Sequence, residues 1–162
     1  MKASKYFVVG KNNISYVWTD FLTHFGEMEV RPKKCSYQFK KLEKSMNDKT
    51  ILAELKPEEV TLSDFAYILQ QRDLLKTGYA NIFYIRDSKN ILWAVHTDWD
   101  DDGWDVSAYS IDDPSGWSAV FRVFGRRFLD SETLKPKTLS SFDPLEFKFS
   151  YGGKNYNIVE VE

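Results

Sequence analysis

The string Asp98-Trp99-Asp100-Asp101-Asp102-Gly103 holds the densest run of chemically capable side chains in the 162-residue chain. It has the D-x-D-x-D-G opening of a calcium loop, in which alternating carboxylates wrap a hard cation and glycine permits the sharp turn. Asp98, Asp100 and Asp102 are the candidate metal ligands, with calcium the cofactor they would hold. The ligand set is irregular, however. The twelfth position, where an EF-hand places glutamate, is Tyr109, and the flanking pattern is that of strands. An ordinary Asp-Gly turn with solvated charge explains the same residues.

His96, Asp98, Asp105, Ser107 and Arg122 form the one convergent polar group that alternation predicts. An imidazole beside carboxylates can bind a metal or act as a general base. Arg122 facing Asp105 would make the same cluster a surface ion-pair network. The other candidate catalytic residues are His24 and Cys35. His24 falls at a helix end, where it suits the dipole, and Cys35 falls on an apolar stripe, where it packs as a small hydrophobe. The chain has two histidines and one cysteine, at spacings that match no standard zinc motif. It has no phosphate-binding glycine loop and no nucleophile elbow. These absences favour a non-catalytic reading, with no catalytic residue assigned.

Positioning these groups requires strands. After Gly78 the apolar period changes from helical to alternating, which predicts strands at 79–86, 91–99, 104–111 and 117–124, separated by Asp-, Ser- and Gly-rich turns. Connections this short make the neighbours antiparallel. Setting Trp99 opposite Trp104 places Thr97 across from Val106, Val95 from Ala108 and Trp93 from Ser110. Continuing the pattern puts Tyr84 opposite Trp93, Ile82 opposite Val95, Phe121 opposite Val106 and Val123 opposite Trp104. One face then gathers Ile82, Tyr84, Val95, Val106, Ala108, Ala119, Phe121 and Val123 with Trp93, Trp99, Trp104 and Trp117. A last hairpin is expected over 145–151 and 154–160 across Gly152-Gly153, and 130–142 reads as a connecting loop.

Before Gly78 the periodicity predicts a short strand at 5–9 and helices at 14–25, 34–46 and 62–75. Ile14, Val17, Trp18, Phe21, Leu22 and Phe25 form the stripe of the first helix. Cys35, Phe39, Leu42 and Met46 form that of the second, and Leu62, Phe65, Ala66, Leu69 and Arg72 mark the third. Thr61 and Asp64 have capping-box spacing. The expected fold is α+β: an antiparallel meander of about four to six strands with two or three N-terminal amphipathic helices. All 162 residues would form one domain, mainly helical over 1–77 and mainly sheet over 78–162.

The stretch Asn90 to Arg126 is similar to a group of short bacterial proteins of uncharacterised function. They share a module of the type LWAV…W…DGW-V-A-S…P-GW-A…RVF-R, and the preceding GYANIFYIRD resembles the group as well. Trp93, Gly103, Trp104, Val106, Ala108, Ser110, Pro114, Trp117, Arg122, Val123, Phe124 and Arg126 carry the resemblance, which covers residues 78–127. Where members of the group have serine before the last arginine, this chain has Gly125. The resemblance implies a shared module and no chemistry. Residues 1–60 fall outside it.

Hydrophobic residues make up 43% and charged residues 28%, a globular balance that excludes a disordered chain. Aromatics reach 16%, more than a core of this size needs, so some are expected at a binding surface. The net charge of −2 predicts no general affinity for nucleic acid. Charge is divided unevenly: residues 1–50 hold ten Lys/Arg against five Asp/Glu, and residues 51–162 hold twelve against nineteen. The single cysteine excludes an internal disulfide, and the absence of a membrane-length apolar run predicts a cytoplasmic protein.

The favoured function is a non-catalytic interaction module for a protein partner. Trp99 and Trp104 at a hairpin tip are its contact residues, with Arg122 and Arg126 behind them and His96 and Asp105 beside them, although packing of both tryptophans in the core explains them equally well. The alternative is lectin-like carbohydrate binding, assisted by calcium, because tryptophan stacks on sugar rings while carboxylates accept hydroxyl protons. A second alternative is a nucleic-acid-binding accessory protein using Lys33, Lys34, Lys40, Lys41 and Lys44, with Arg122, Arg126, Arg127, Phe124 and Phe128.

Overall fold

The structure, a computed structural model, describes residues 1–71, 75, 77–100 and 103–129, together with the backbone of 148–151 and 154–157. Arg72, Asp101, Asp102, the expected loop over 130–142 and the Gly152-Gly153 turn lie outside the described residues. The chain divides into two compact units, Met1–Asp130 and Ser131–Glu162. In the second unit, Lys148–Tyr151 pairs antiparallel with Lys154–Asn157, and Tyr151 lies across from Lys154. That is the hairpin expected around the two glycines.

The first unit is an α+β fold built on a six-stranded mixed sheet. In chain order its elements begin with α1 (Ala3–Tyr6), β1 (Ile14–Val17) and α2 (Thr19–Phe25). There follow β2 (Gln38–Lys41), β3 (Met46–Asn47), α3 (Asp48–Glu54) and α4 (Leu62–Gln70). The last are β4 (Asn81–Arg86), β5 (Leu92–Asp100), β6 (Gly103–Ser110), β7 (Gly116–Trp117) and β8 (Arg122–Gly125). The main sheet runs β1-β6-β5-β4-β8-β2, and β3 pairs separately with β7.

The centre of the predicted meander holds. β4, β5 and β6 are consecutive antiparallel neighbours, and Trp99–Trp104, Thr97–Val106, Val95–Ala108 and Trp93–Ser110 all face each other. The preceding hairpin is displaced by one residue: Tyr84 pairs with Ala94 and Ile82 with His96. The Asp87 carboxylate causes this. Its Oδ1 accepts from the backbone N–H of Lys89 at 2.8 Å and of Ile91 at 2.9 Å, and its Oδ2 accepts from the Trp93 indole at 3.1 Å. Ile91 is thereby held in the turn and not in the strand, and a slip of one exchanges the two faces of β4.

The predicted fourth strand over 117–124 is broken. Val120 has φ +76°, its N–H donates to the Leu42 carbonyl, and the Leu42 N–H donates to the Phe121 carbonyl. Such a φ is uncommon for a β-branched residue and ends an extended path. Trp117 therefore joins β3, while β8 crosses to lie parallel to β4 and antiparallel to β2. Phe121 and Val123 do not face β6, and Trp117 lies on the other face of the sheet from Trp93, Trp99 and Trp104.

Both faces of the sheet are covered. On one, Phe83, Ile85, Val95, Trp104, Val106 and Phe124 pack with α1, α2 and α4. On the other, Ile82, Tyr84, Ala94 and Val123 pack with Leu42, Met46, Ile51 and Phe128. β4 is buried on both sides, which is why it reads as a continuous apolar run.

The N-terminal part differs most from expectation. The anticipated strand at 5–9 is a short helix, α1, followed by turn residues. The anticipated helix over 14–25 is split: Ile14 and Val17 pair parallel with β6, and only Thr19–Phe25 is helical. Residues 34–46 form no helix at all. β2 occupies Gln38–Lys41, which leaves Phe39 45% exposed while Leu42 and Met46 stay inward. The third prediction holds at its start, where Thr61 and Asp64 form the expected capping box of α4, but the helix ends at Gln70 and not at 75. Among the described residues no helix is long and apolar enough to cross a membrane.

Candidate binding site

The face of β5 and β6 that meets α3 carries the predicted polar residues. His96 lies across from Ser107, and Asp98 across from Asp105. The Ser107 hydroxyl hydrogen-bonds His96 Nδ1, and His96 Nε2 is 3.6 Å from Asp98 Oδ1. Burial pushes the imidazole down to about pKa 4, so it is neutral at pH 7 and its approach to Asp98 is not an ion pair. Ser107 is 2% exposed. Serine, histidine and aspartate are thus adjacent, but the hydroxyl is enclosed by protein.

Asp105 accepts a 2.7 Å hydrogen bond from the Ser15 hydroxyl of β1. Burial, followed by the charges of Asp105 and Asp100, raises the carboxyl of Asp98 above its ordinary range. Asp100 is paired with Gly103 at the end of the hairpin, and Asp102 is outside the described residues. Among the described residues no group of three or more His, Cys, Asp or Glu is placed to hold a metal.

Arg122 does not join this group. It sits on β8 between Asn81 and Lys41, with its guanidinium 4.4 Å from the centre of the Phe39 ring, and β4 and β5 separate it from β6. The anticipated Arg122–Asp105 pairing fails because residues 117–124 are not one strand. Arg126 is engaged with Asp64, through Nε at 3.0 Å and Nη2 at 2.7 Å, and so ties β8 to the start of α4. Trp104 has no exposed surface, which removes it as a contact residue. Trp99 is partly buried and packs edge-on to Trp104 at 4.9 Å between ring centres.

The remaining reactive side chains are also occupied. His24 stacks on Trp93 with ring centres 3.5 Å apart. Burial, followed by the nearby Asp64 charge, pushes the Cys35 thiol up to about pKa 11, so it stays protonated. The expected basic helix face is replaced by an edge strand and a wide groove of about 860 Å³. Lys40, Lys41 and Lys44 line that groove together with Glu43 and Glu54, and Lys44 lies 3.9 Å from Glu54.

Beside His96 a smaller pocket of about 160 Å³ opens. Its aromatic wall is His96, Tyr109 and Trp117, with ring centres 5.2 Å apart for His96–Tyr109, 5.3 Å for His96–Trp117 and 6.0 Å for Tyr109–Trp117. The three planes are mutually inclined at 46–74°. The rest of the lining is Asp48 from α3 and Asp113, Ser115 and Gly116 from the segment after β6.

Asp48 is the residue that the sequence did not single out. It is 2% exposed, and its Oδ1 accepts from the Tyr84 hydroxyl and from the Trp117 indole N–H, each at 2.7 Å. Burial raises its carboxyl pKa and those two hydrogen bonds oppose the rise, while the Asp113 charge adds to it. The β3–β7 pair brings it here by setting Met46 across from Trp117 and Asn47 across from Gly116. Asn47 then caps α3 by accepting from the Thr50 N–H at 2.9 Å. Asn47 followed by Asp48, an N-cap former and then an acid in the first turn, was the readable signal for this helix start. Compared with known protein families, curated proteins and solved structures, the chain matches none.

Proposed function

We propose that this chain is a non-catalytic binding module that docks a protein partner by one of the partner's side chains. The observation that carries this reading is the size and make-up of the Trp117 pocket. At about 160 Å³ it is well below the roughly 300 Å³ at which pockets for whole small molecules begin. A space of that size takes one side chain. Aromatic walls around a partly buried floor are the setting in which interfaces concentrate their energy. Outside the pocket the Ser107 hydroxyl is enclosed and the Cys35 thiol protonated, which supports a chain that binds and does not react.

The test compares retention of a purified partner candidate, found by affinity capture with the intact chain, on wild type and two rim variants. Tyr109 is 40% exposed, and Asp113 is exposed. Tyr109→Ala and Asp113→Lys should therefore fold normally. The expected result is a partner held by wild type and bound at least roughly tenfold more weakly by each variant, a loss of about 1.4 kcal/mol. Equal binding by all three proteins, or no retained protein at all, would overturn the proposal.

A further inference from the structure

Accepting that the Trp117 pocket seats one side chain of a partner, we infer that the side chain is a lysine, bare or N-methylated, held by its ammonium group. Two independent features select a cation. Two carboxylates line the pocket, the buried Asp48 and the exposed Asp113, and no described lining residue carries a positive charge. Lys49, next in sequence to Asp48, is turned to Asp112 at 3.0 Å. An anionic guest would be repelled by those carboxylates, and a neutral one would gain no Coulomb attraction from them.

The second feature is the aromatic wall. A cation within about 6 Å of a ring centre is drawn to the negative π face. Trp117 and Tyr109 line one small volume together with the His96 imidazole, the three rings in mutual contact with centres 5.2–6.0 Å apart and planes inclined at 46–74°, so a cation seated there lies within reach of two π systems. That arrangement suits a rounded ammonium better than a flat guanidinium, which stacks best on a ring parallel to it. The indole of Trp117 is fixed by its bond to the Asp48 carboxylate, so little side-chain freedom is lost when the guest arrives.

The pocket can be probed in the whole chain with blocked single amino acids. The indole N–H resonance of Trp117 is followed by NMR during titration with N-acetyl-lysine methylamide, its Nε-trimethyl derivative and its neutral Nε-acetyl derivative. Either or both cationic probes should move the resonance saturably. The neutral probe should bind roughly tenfold more weakly or worse. Asp113→Asn, which keeps an acceptor for the Ser115 N–H now bonded at 2.8 Å, should weaken the cationic probes, and Asp113→Lys should abolish their effect. A larger loss for the trimethyl probe in Tyr109→Ala would assign the methylated form, and a larger loss for the bare amine in Asp113→Asn would assign the unmethylated one. Equal binding of the neutral probe, no saturable shift with any probe, or cation binding that survives Asp113→Lys would overturn the inference. Equal binding of the neutral probe leaves the side-chain pocket in place and removes only its preference for charge. Rim variants that still hold the purified partner remove the pocket's role in docking, whatever the small probes do.

Discussion

Trp104 shows how one indole is committed to packing. Its side chain has no exposed surface, it meets Trp99 edge-on, and its buried Nε1–H has no hydrogen-bond partner among the described residues. Removing the ring leaves a large cavity, and Trp104→Ala should cost about 3–5 kcal/mol. Trp104→Phe keeps most of the volume and removes the unsatisfied donor, whose burial costs about 1–3 kcal/mol by itself. The phenylalanine variant should therefore lose much less, about 1 kcal/mol or under. Urea denaturation of both variants checks the difference. A Trp104→Ala loss below about 1 kcal/mol would mean that the indole is not core. Asp48 carries the opposite lesson at the same scale. It is a buried carboxyl group, and its two donors, Tyr84 and Trp117, lie 36 and 69 positions away in sequence. Local spacing therefore could not reveal it, whereas the capping box of Thr61 and Asp64 was legible because both of its halves lie within one helical turn.

Among the elements, the pairing of β1 with β6 depends on Gly103. A Cβ built there would lie 2.7 Å from the Ser15 backbone nitrogen and 2.8 Å from the Asn13 carbonyl oxygen. Both are backbone atoms, so the strand itself would have to move. Gly103→Ala should cost about 1–3 kcal/mol. It should also speed hydrogen exchange at the amides of Trp104 and Trp18, which bond Asn13 and Val106 across the same seam. Unchanged protection at both amides would count against this account. The same glycine was read from sequence as a turn residue, and its role in close approach was hidden because β1 was expected to be helical. Ile14, Val17, Phe21 and Phe25 fit a helical stripe as well as they fit a short strand followed by a helix, and only the pairing with β6 separates the two. The β5–β6 register was legible because the hairpin is short and its apolar faces allow one phase. The β4–β5 register was not, because an Asp87 side chain, and not the backbone pattern, sets how many residues the turn holds.

For the molecule as a whole, the buried imidazole ties stability to acidity. Burial lowers the His96 pKa from 6.5 to about 4, and its side chain is 15% exposed. As pH falls through 6.5 the unfolded chain takes up this proton, while the folded chain resists until about pH 4. The unfolded state then holds more protons, so stability declines across that interval by roughly 3 kcal/mol. Other groups act mainly outside it. Asp64 and Asp87 have carboxyl values held below the usual 3.8, and the stability they add is lost only as pH falls below that range. Asp48 and Asp98 have raised values, so their protonation in the folded state opposes the loss at the acid end of the interval. The charges that share the face of His96 are those of Asp98 and Asp105, with Asp48 and Asp113 across the pocket, and all are carboxylates. His96→Gln keeps a hydrogen-bonding group for the Ser107 hydroxyl but cannot titrate. Urea midpoints measured at steps between pH 6.5 and pH 4 should fall steeply for wild type and by less than a third as much for the variant. Parallel curves for the two proteins would place the proton uptake elsewhere and leave the floor of the Trp117 pocket without its neutral imidazole.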